Sequence, residues 1–266
     1  MSMLREVMAI AHAASARILE VYEQAGAVAV VHKADSSPLT EADSAAHSVI
    51  VNALQQLTPQ VPIVSEEDGA AAQESRFTAK EYWLVDPLDG TKEFIKRTGE
   101  FTVNIALVRD GVPVLGVVHA PVLGTTWTGL AHEAARHDAQ GITLIRVAEP
   151  APVQALRVVA SRDHAGPAVR ALLERLPGAS TLSMGSSLKF CLVAEGRADL
   201  YFRDGPTMPW DTAAAHAVLM AAGGEVYALG GAPLRYLSPR TLNPHFTAVG
   251  DRAFPWPSLL SSSDTP

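Results

Sequence analysis

The chain is expected to be an α+β protein, with helices laid on an antiparallel sheet followed by a smaller α/β unit. Three features predict it. Two segments near the start have helical periodicity. A series of strand-like runs is folded back at Asp110-Gly111. After Glu149-Pro150-Ala151-Pro152 the pattern changes to alternating strand and helix.

In the first part, Leu4, Val7, Met8, Ala11, Ala14, Ile18 and Val21 recur at helical spacing across residues 3–24. A second helix is predicted over 41–57, with Thr40 as N-cap and Asp43 three residues on. Lys33 to Pro38 between them has loop chemistry. Val61–Val64 and Tyr82–Val85 are short apolar strands that run into acidic residues. Residues 101–109 and 112–119 flank the Asp110-Gly111 hairpin turn, and 124–130 and 142–147 continue the antiparallel pattern.

In the second part, strands are predicted over 156–160, 180–183, 199–203, 225–227 and 246–249. Helices are predicted over 165–175, 187–195 and 211–222, the last closed by Gly223-Gly224. Two units follow, 1–150 and 151–257, with a frayed tail over 258–266.

Composition excludes several function classes. Of 266 residues, 48% are hydrophobic and 18% charged, enough to build a core and too apolar for a disordered chain. The net charge of −7 is unsuited to a nucleic-acid polymer, whose phosphates need clustered Lys and Arg. A small phosphorylated ligand needs only a few local cations. Cys191 is the single cysteine, so no intramolecular disulfide forms, which suits a reducing compartment. Arg5, Glu6, His12 and Arg17 interrupt the first helix, so no signal peptide is expected, and no apolar run reaches the ~20 residues of a membrane span. The expected location is cytoplasmic, with peripheral association at the inner membrane face left open. Oligomeric state, monomer or homodimer, is not encoded in any motif.

Carboxylates gather at element ends: Glu66 and Glu67 after one strand, Asp86 and Asp89 after another, Asp211 at the start of a helix, and Asp43 on the second helix. Pro87 fixes φ between the two aspartates and Gly90 permits a tight turn, so the loop can aim both carboxylates and the Leu88 carbonyl at one point. Such hard oxygen donors suit Mg²⁺. The amides after Gly90 can receive a phosphate if a helix begins there, and the Thr91 hydroxyl can orient a water with Asp43 as proton acceptor. Taken singly, each motif has a plainer reading: Asp-x-x-Asp-Gly as a turn, Glu66-Glu67-Asp68 as a solvated loop, Asp211 as a helix cap, Asp43 as a surface residue.

Together the motifs are more specific. Ser65-Glu66-Glu67-Asp68, Trp83-Leu84-Val85-Asp86-Pro87-Leu88-Asp89-Gly90-Thr91 and Trp210-Asp211-Thr212-Ala213-Ala214 resemble the inositol monophosphatase superfamily over roughly residues 3–250. Lys92-Glu93-Phe94-Ile95, Gly99 to Ala106 and Gly185-Ser186-Ser187-Leu188-Lys189-Phe190-Cys191 look like its 3′(2′),5′-bisphosphate nucleotidases of the CysQ type. The resemblance implies a layered α/β sandwich and Mg²⁺-dependent, Li⁺-sensitive phosphomonoester hydrolysis with two or three ions. It implies a substrate such as adenosine 3′,5′-bisphosphate, a by-product of sulfate assimilation, with 3′-phosphoadenosine 5′-phosphosulfate as a further substrate left open. Carried over, Glu66, Asp86, the Leu88 carbonyl, Asp89 and Asp211 are metal ligands, and Thr91 with Asp43 activates the attacking water. Gly90-Thr91 receives the scissile phosphate. Ser186, Ser187, Lys189 and Arg203 match positions that face the nucleotide and its second phosphate. His164 matches a nucleotide-facing position in some relatives, and as a lone loop histidine it reads equally as surface. Inositol monophosphate and fructose 1,6-bisphosphate are the rival substrates, and a non-catalytic phospholigand-binding protein is the rival class.

Overall fold

A computed structural model describes residues 2–23, 30–32, 38–69, 79–160, 167–237 and 242–254. Two long helices open the chain, α1 (Met3–Glu23) and α2 (Glu41–Leu57), with a small antiparallel ladder of β1 (Val30–His32) and β2 (Pro38–Thr40) between them. Their apolar faces, Val7, Ile10, Ala14 and Ile18 on α1 and Ala46, Ile50 and Leu54 on α2, are buried as the helical period predicts.

That pair lies on a seven-stranded sheet in the order β3-β4-β5-β6-β7-β8-β9. Its strands are β3 (Ile63–Ser65), β4 (Glu81–Asp89), β5 (Thr102–Arg109), β6 (Val112–Ala120), β7 (Thr125–Leu130), β8 (Glu133–Asp138) and β9 (Gly141–Leu144). A one-turn helix, α3 (Thr91–Ile95), follows β4. The predicted hairpin forms: Asp110 and Gly111 both have positive φ, 49° and 75°. Two expectations are corrected. The sheet is not wholly antiparallel, since β3 pairs with β4 in parallel. The chain over 133–138, which shows little apolar alternation, adds strand β8.

The second part forms a five-stranded sheet in the order β11-β10-β12-β14-β13. It comprises β10 (Arg157–Ala160), β11 (Ser180–Ser183), β12 (Leu200–Arg203), β13 (Glu225–Ala228) and β14 (Phe246–Val249), interleaved with α4 (Pro167–Glu174), α5 (Leu188–Ala194) and α6 (Pro209–Ala221). α6 starts two residues earlier than expected, with Pro209 in its first turn, and Gly223 ends it at φ 106°.

α5 and α6 are sandwiched between the two sheets, and α4 packs its Val169 and Leu172 on the outer face of the smaller sheet. The result is a layered sandwich of helix, sheet, helix, sheet, helix. The central core draws Leu84, Ala106 and Val118 from the first part and Val159, Tyr201 and Phe246 from the second, so the parts meeting near residue 150 share one core.

β5 shows how the layers dictate sequence. It is covered on both faces, so it reads as a continuous buried run rather than an alternation. Val103, Ile105 and Leu107 pack in the core under α1 and α2, while Ala106 and Val108 join the core with α5 and α6. Small residues let α6 approach closely. A Cβ on Gly116 would lie 2.1 Å from the Ala214 carbonyl oxygen, and one on Gly129 would lie 2.5 Å from Val218 Cα. Both collisions are with backbone, which cannot rotate away. Gly116→Ala is therefore expected to cost about 2–3 kcal/mol by overpacking, read as a lower urea midpoint; an unchanged midpoint contradicts this packing.

Candidate active site

Asp86 and Asp89 stand three residues apart on β4. In a regular strand they would face opposite sides of the sheet. The ladder shows why they do not: Asp86 pairs with Asn104 and Asp89 with Thr102, so three steps on β4 span two on β5. This bulge lies at Pro87, which has no N–H for the ladder. It brings both carboxylates to the face that carries Thr102 and Asn104. The Leu88 N–H then donates to Asp86 Oδ1 at 3.0 Å. Gly90 closes the turn at φ 93°, where a Cβ would crowd Glu93 and Phe101, and a helix does begin at Thr91.

The other carboxylates arrive from three elements. Glu66 follows β3 directly, its N–H bonded to the Val85 carbonyl at 3.0 Å, so it emerges beside Asp86. Asp68 ties that turn by accepting from the Ser65 N–H at 2.9 Å. Asp211 lies in the first turn of α6 and accepts from the Met208 N–H at 2.9 Å. The capping role and the site role thus coexist in one side chain. Asp43 on α2 is 1% exposed rather than a surface residue.

One carboxylate oxygen from each of Glu66, Asp86 and Asp211 falls within 4.8 Å of the others. Asp86 is 1% exposed. Burial raises its pKa well above the usual carboxylate range, and the charges of Glu66, Asp89, Asp211 and Asp43 raise it further. Asp211 is raised in the same way, by burial and then by Asp89 and Glu66, against the opposing Met208 N–H and Arg203. Carboxylates gathered at such electrostatic cost suit a hard cation. The donors are all oxygen, with no thiolate or imidazole among these three, which fits Mg²⁺ better than zinc or copper.

Of the remaining predicted residues, Thr91 has its hydroxyl 3.5 Å from the Leu88 carbonyl. Ser186 and Ser187 both donate to Asp89 Oδ2, the first through its hydroxyl and the second through its N–H at 2.7 Å. Lys189, whose plainer reading is a solvated helix residue, is 7% exposed on a helix with all seven residues buried, and it donates to the Ser186 carbonyl. Burial lowers its pKa to about 8. Arg203 lies at the end of β12. One of its guanidinium nitrogens reaches the Pro206 carbonyl at 3.3 Å, and its buried Nε meets no acceptor among the described residues. Cys191 is a buried free thiol in α5 whose pKa burial raises, so it is packing rather than a nucleophile. His164 lies outside the described residues.

Thr102 and Asn104 lie within the Gly99 to Ala106 motif, but sequence reasoning gave them no role in the site. Both are buried, and they bond to the serines that hold Asp89. Their signal is two polar side chains at i and i+2 in an otherwise apolar strand.

A layered α+β sandwich in which carboxylates from the end of β3, from β4 and from the start of α6 lie within 4.8 Å of one another defines an acidic cluster that could hold a cation. The model of the Inositol monophosphatase family matches residues 2–253, and the chain belongs to that family. It is 50% identical over 246 residues to the 3′(2′),5′-bisphosphate nucleotidase CysQ of Escherichia coli strain K12, covering 92% of this chain and 98% of that one. It is 37% identical over 261 residues to the Haemophilus influenzae protein of the same name, covering 97% and 96%. Among solved structures, CysQ from Bacteroides thetaiotaomicron matches at TM-score 0.79 with 38% identity, over 93% of this chain and 98% of that one. An Anabaena inositol monophosphatase matches at TM-score 0.72 with 26% identity, over 96% and 92%. Among the described residues no helix is long and apolar enough to cross a membrane.

Proposed function

We propose that the chain is a Mg²⁺-dependent 3′(2′),5′-bisphosphate nucleotidase that removes the 3′-phosphate of adenosine 3′,5′-bisphosphate and releases AMP, a step that serves sulfur assimilation. The observation that carries this reading is the carboxylate cluster of Glu66, Asp86 and Asp211, with Asp86 buried and the other two partly exposed. The identity to relatives named for that activity supports the choice of substrate.

Glu66, Asp86, the Leu88 carbonyl, Asp89 and Asp211 would hold two or three ions. When bound, the ions neutralise charge on the phosphoryl oxygens and acidify water at the site. The chain's own residues do the rest. The Gly90-Thr91 turn opens α3 and receives the scissile phosphate. The Thr91 hydroxyl orients the attacking water, and buried Asp43 accepts its proton. Among the described residues in the cluster no Ser, Cys or His is placed as a nucleophile, so direct attack of water on phosphorus is the simplest route. At the far end of the substrate, the partly exposed Arg203 supplies a guanidinium for the second phosphate. Ser186, Ser187 and Lys189 line the same side, although their polar groups are engaged with one another and with Asp89.

The test is a phosphate-release panel at saturating Mg²⁺ with adenosine 3′,5′-bisphosphate, inositol 1-phosphate and fructose 1,6-bisphosphate, repeated with Li⁺. The nucleotide is expected to give the highest kcat/KM by at least about tenfold, the discrimination one good polar contact supplies, and Li⁺ is expected to inhibit. A higher kcat/KM for inositol 1-phosphate overturns the substrate assignment. Binding of nucleotide without phosphate release overturns the enzymatic reading.

A further inference from the structure

The turn from Gly185 to Lys189 has an unusual backbone. Ser186 sits at φ 53°, in the left-handed region that side chains other than glycine rarely adopt. Such a conformation costs of order 1–3 kcal/mol and persists only where its surroundings hold it. Three groups hold this one. The Lys189 ammonium donates to the Ser186 carbonyl at 2.6 Å, closing the turn on itself. The Glu100 carboxylate accepts from the Gly185 N–H at 2.8 Å. The Thr102 hydroxyl meets Ser186 Oγ at 2.7 Å and Ser187 Oγ at 2.9 Å.

The strain has a visible product. It directs two donors, the Ser186 hydroxyl and the Ser187 N–H, at one oxygen of Asp89. An ionised carboxylate only accepts, so the Ser186 proton must point to Asp89. Ser186 Oγ can then only accept from Thr102, and the Thr102 proton is fixed in turn. Asn104 completes the chain, with Oδ1 3.1 Å from Thr102 Oγ1 and 2.9 Å from Ser187 Oγ. In that orientation its Nδ2 is buried with no acceptor among the described residues, which costs about 1–3 kcal/mol. Turning the amide by 180° leaves its shape unchanged and lets Nδ2 donate to both hydroxyls. Every proton then runs one way, from Asn104 through Thr102 and Ser186 to Asp89.

We propose that Lys189, Thr102 and Asn104 are positioning residues for Asp89: they lock the Ser186-Ser187 turn in its strained form, hold one Asp89 oxygen, and thereby set the affinity for the cation rather than for the nucleotide. This differs from the expectation that Lys189 faces substrate. It rests on the reading above only through the role of Asp89 as a metal ligand.

The test uses the metal-stripped full chain and Mn²⁺ as the probe, with binding measured by calorimetry in the absence of substrate. Thr102→Val and Lys189→Met are expected to weaken Mn²⁺ binding about 10–100-fold, the range for partners that orient a ligand. Thr102→Ser, which keeps the hydroxyl, should stay within about threefold of wild type on the same scale. The KM of Thr102→Val for adenosine 3′,5′-bisphosphate at saturating Mg²⁺ should change by less than about twofold, since the Thr102 hydroxyl is spent on the two serines. Unchanged Mn²⁺ affinity in both variants overturns the proposal. So does a tenfold rise in KM with unaltered Mn²⁺ affinity in Lys189→Met, which restores Lys189 to the substrate. Should one variant fail to fold, the other carries the test, because they remove opposite ends of the clamp. Wild type that binds Mn²⁺ but spares the nucleotide removes the substrate assignment alone, and a weakened Thr102→Val still supports the clamp.

Discussion

Asp86→Asn is expected to lower kcat by about 10³-fold or more while raising the melting temperature of the metal-free protein. The two effects have one cause. Asp86 is the buried centre of the carboxylate group, and its charge is opposed by burial and by Glu66, Asp89, Asp211 and Asp43. Asparagine has nearly the same shape and keeps an oxygen for the Leu88 N–H, so the bulge survives. What goes is one negative charge. A cation held by fewer charges gives up several kcal/mol of transition-state stabilisation, which corresponds to the rate loss above. Without the cation, the same charge is a repulsive burden, and its removal relieves the fold by about 2–4 °C for each kcal/mol of repulsion. A near-normal rate at saturating Mg²⁺, or a lower melting temperature without metal, contradicts this account of Asp86.

Thr91→Ala should cut kcat by about 10²–10⁴-fold, the usual contribution of a positioned proton-transfer group, with little change in the Mg²⁺ concentration needed for half-maximal rate. Thr91 lies one residue past Gly90, and among the described residues its hydroxyl reaches only the Leu88 carbonyl, weakly, at 3.5 Å. It contributes little to the fold, and its removal leaves the carboxylates in place. Thr91→Ser keeps the hydroxyl and should retain most of the activity. Rates within threefold of wild type for Thr91→Ala remove it from the mechanism.

Much of this was legible from residue order because the site is built at element ends. Strands ending in acidic residues, Pro87 and Gly90 around two aspartates, and Asp211 at a helix start all leave marks in the chain. The bulge at Pro87 leaves a weaker one. Nothing in Asp86-Pro87-Leu88-Asp89 states that three residues oppose two on β5, yet that count puts both aspartates on one face. Lys189 was legible in type but not in environment. α5 is apolar all round except for this residue, the mark of a buried helix, and a lysine within such a run is more naturally a structural donor than a solvated one. Thr102 and Asn104 were hidden because their task is to hold another residue, through hydroxyl contacts that span more than 80 positions in sequence.

The pH dependence of stability bears most directly on the carboxylates as a cation site. A carboxylate whose pKa is raised on folding keeps its proton while the unfolded chain loses it, so stability falls as pH rises from the ordinary carboxylate value through the raised one. Asp86 and Asp211 both act this way. His119 acts oppositely. Burial lowers its pKa to about 4, so stability is lost as pH falls from the ordinary histidine value toward that one. Comparison with Asp86→Asn cancels the histidine and isolates Asp86. The decisive measurement is therefore the melting temperature of metal-stripped wild type and Asp86→Asn at pH 5 and pH 8, with and without Mg²⁺. The variant should gain on wild type as pH rises. Mg²⁺ at about 100 times its dissociation constant should stabilise wild type at pH 8 by about 2.7 kcal/mol, and the variant much less. Equal responses of the two proteins to Mg²⁺, or no response in wild type, would contradict a cation site at Asp86.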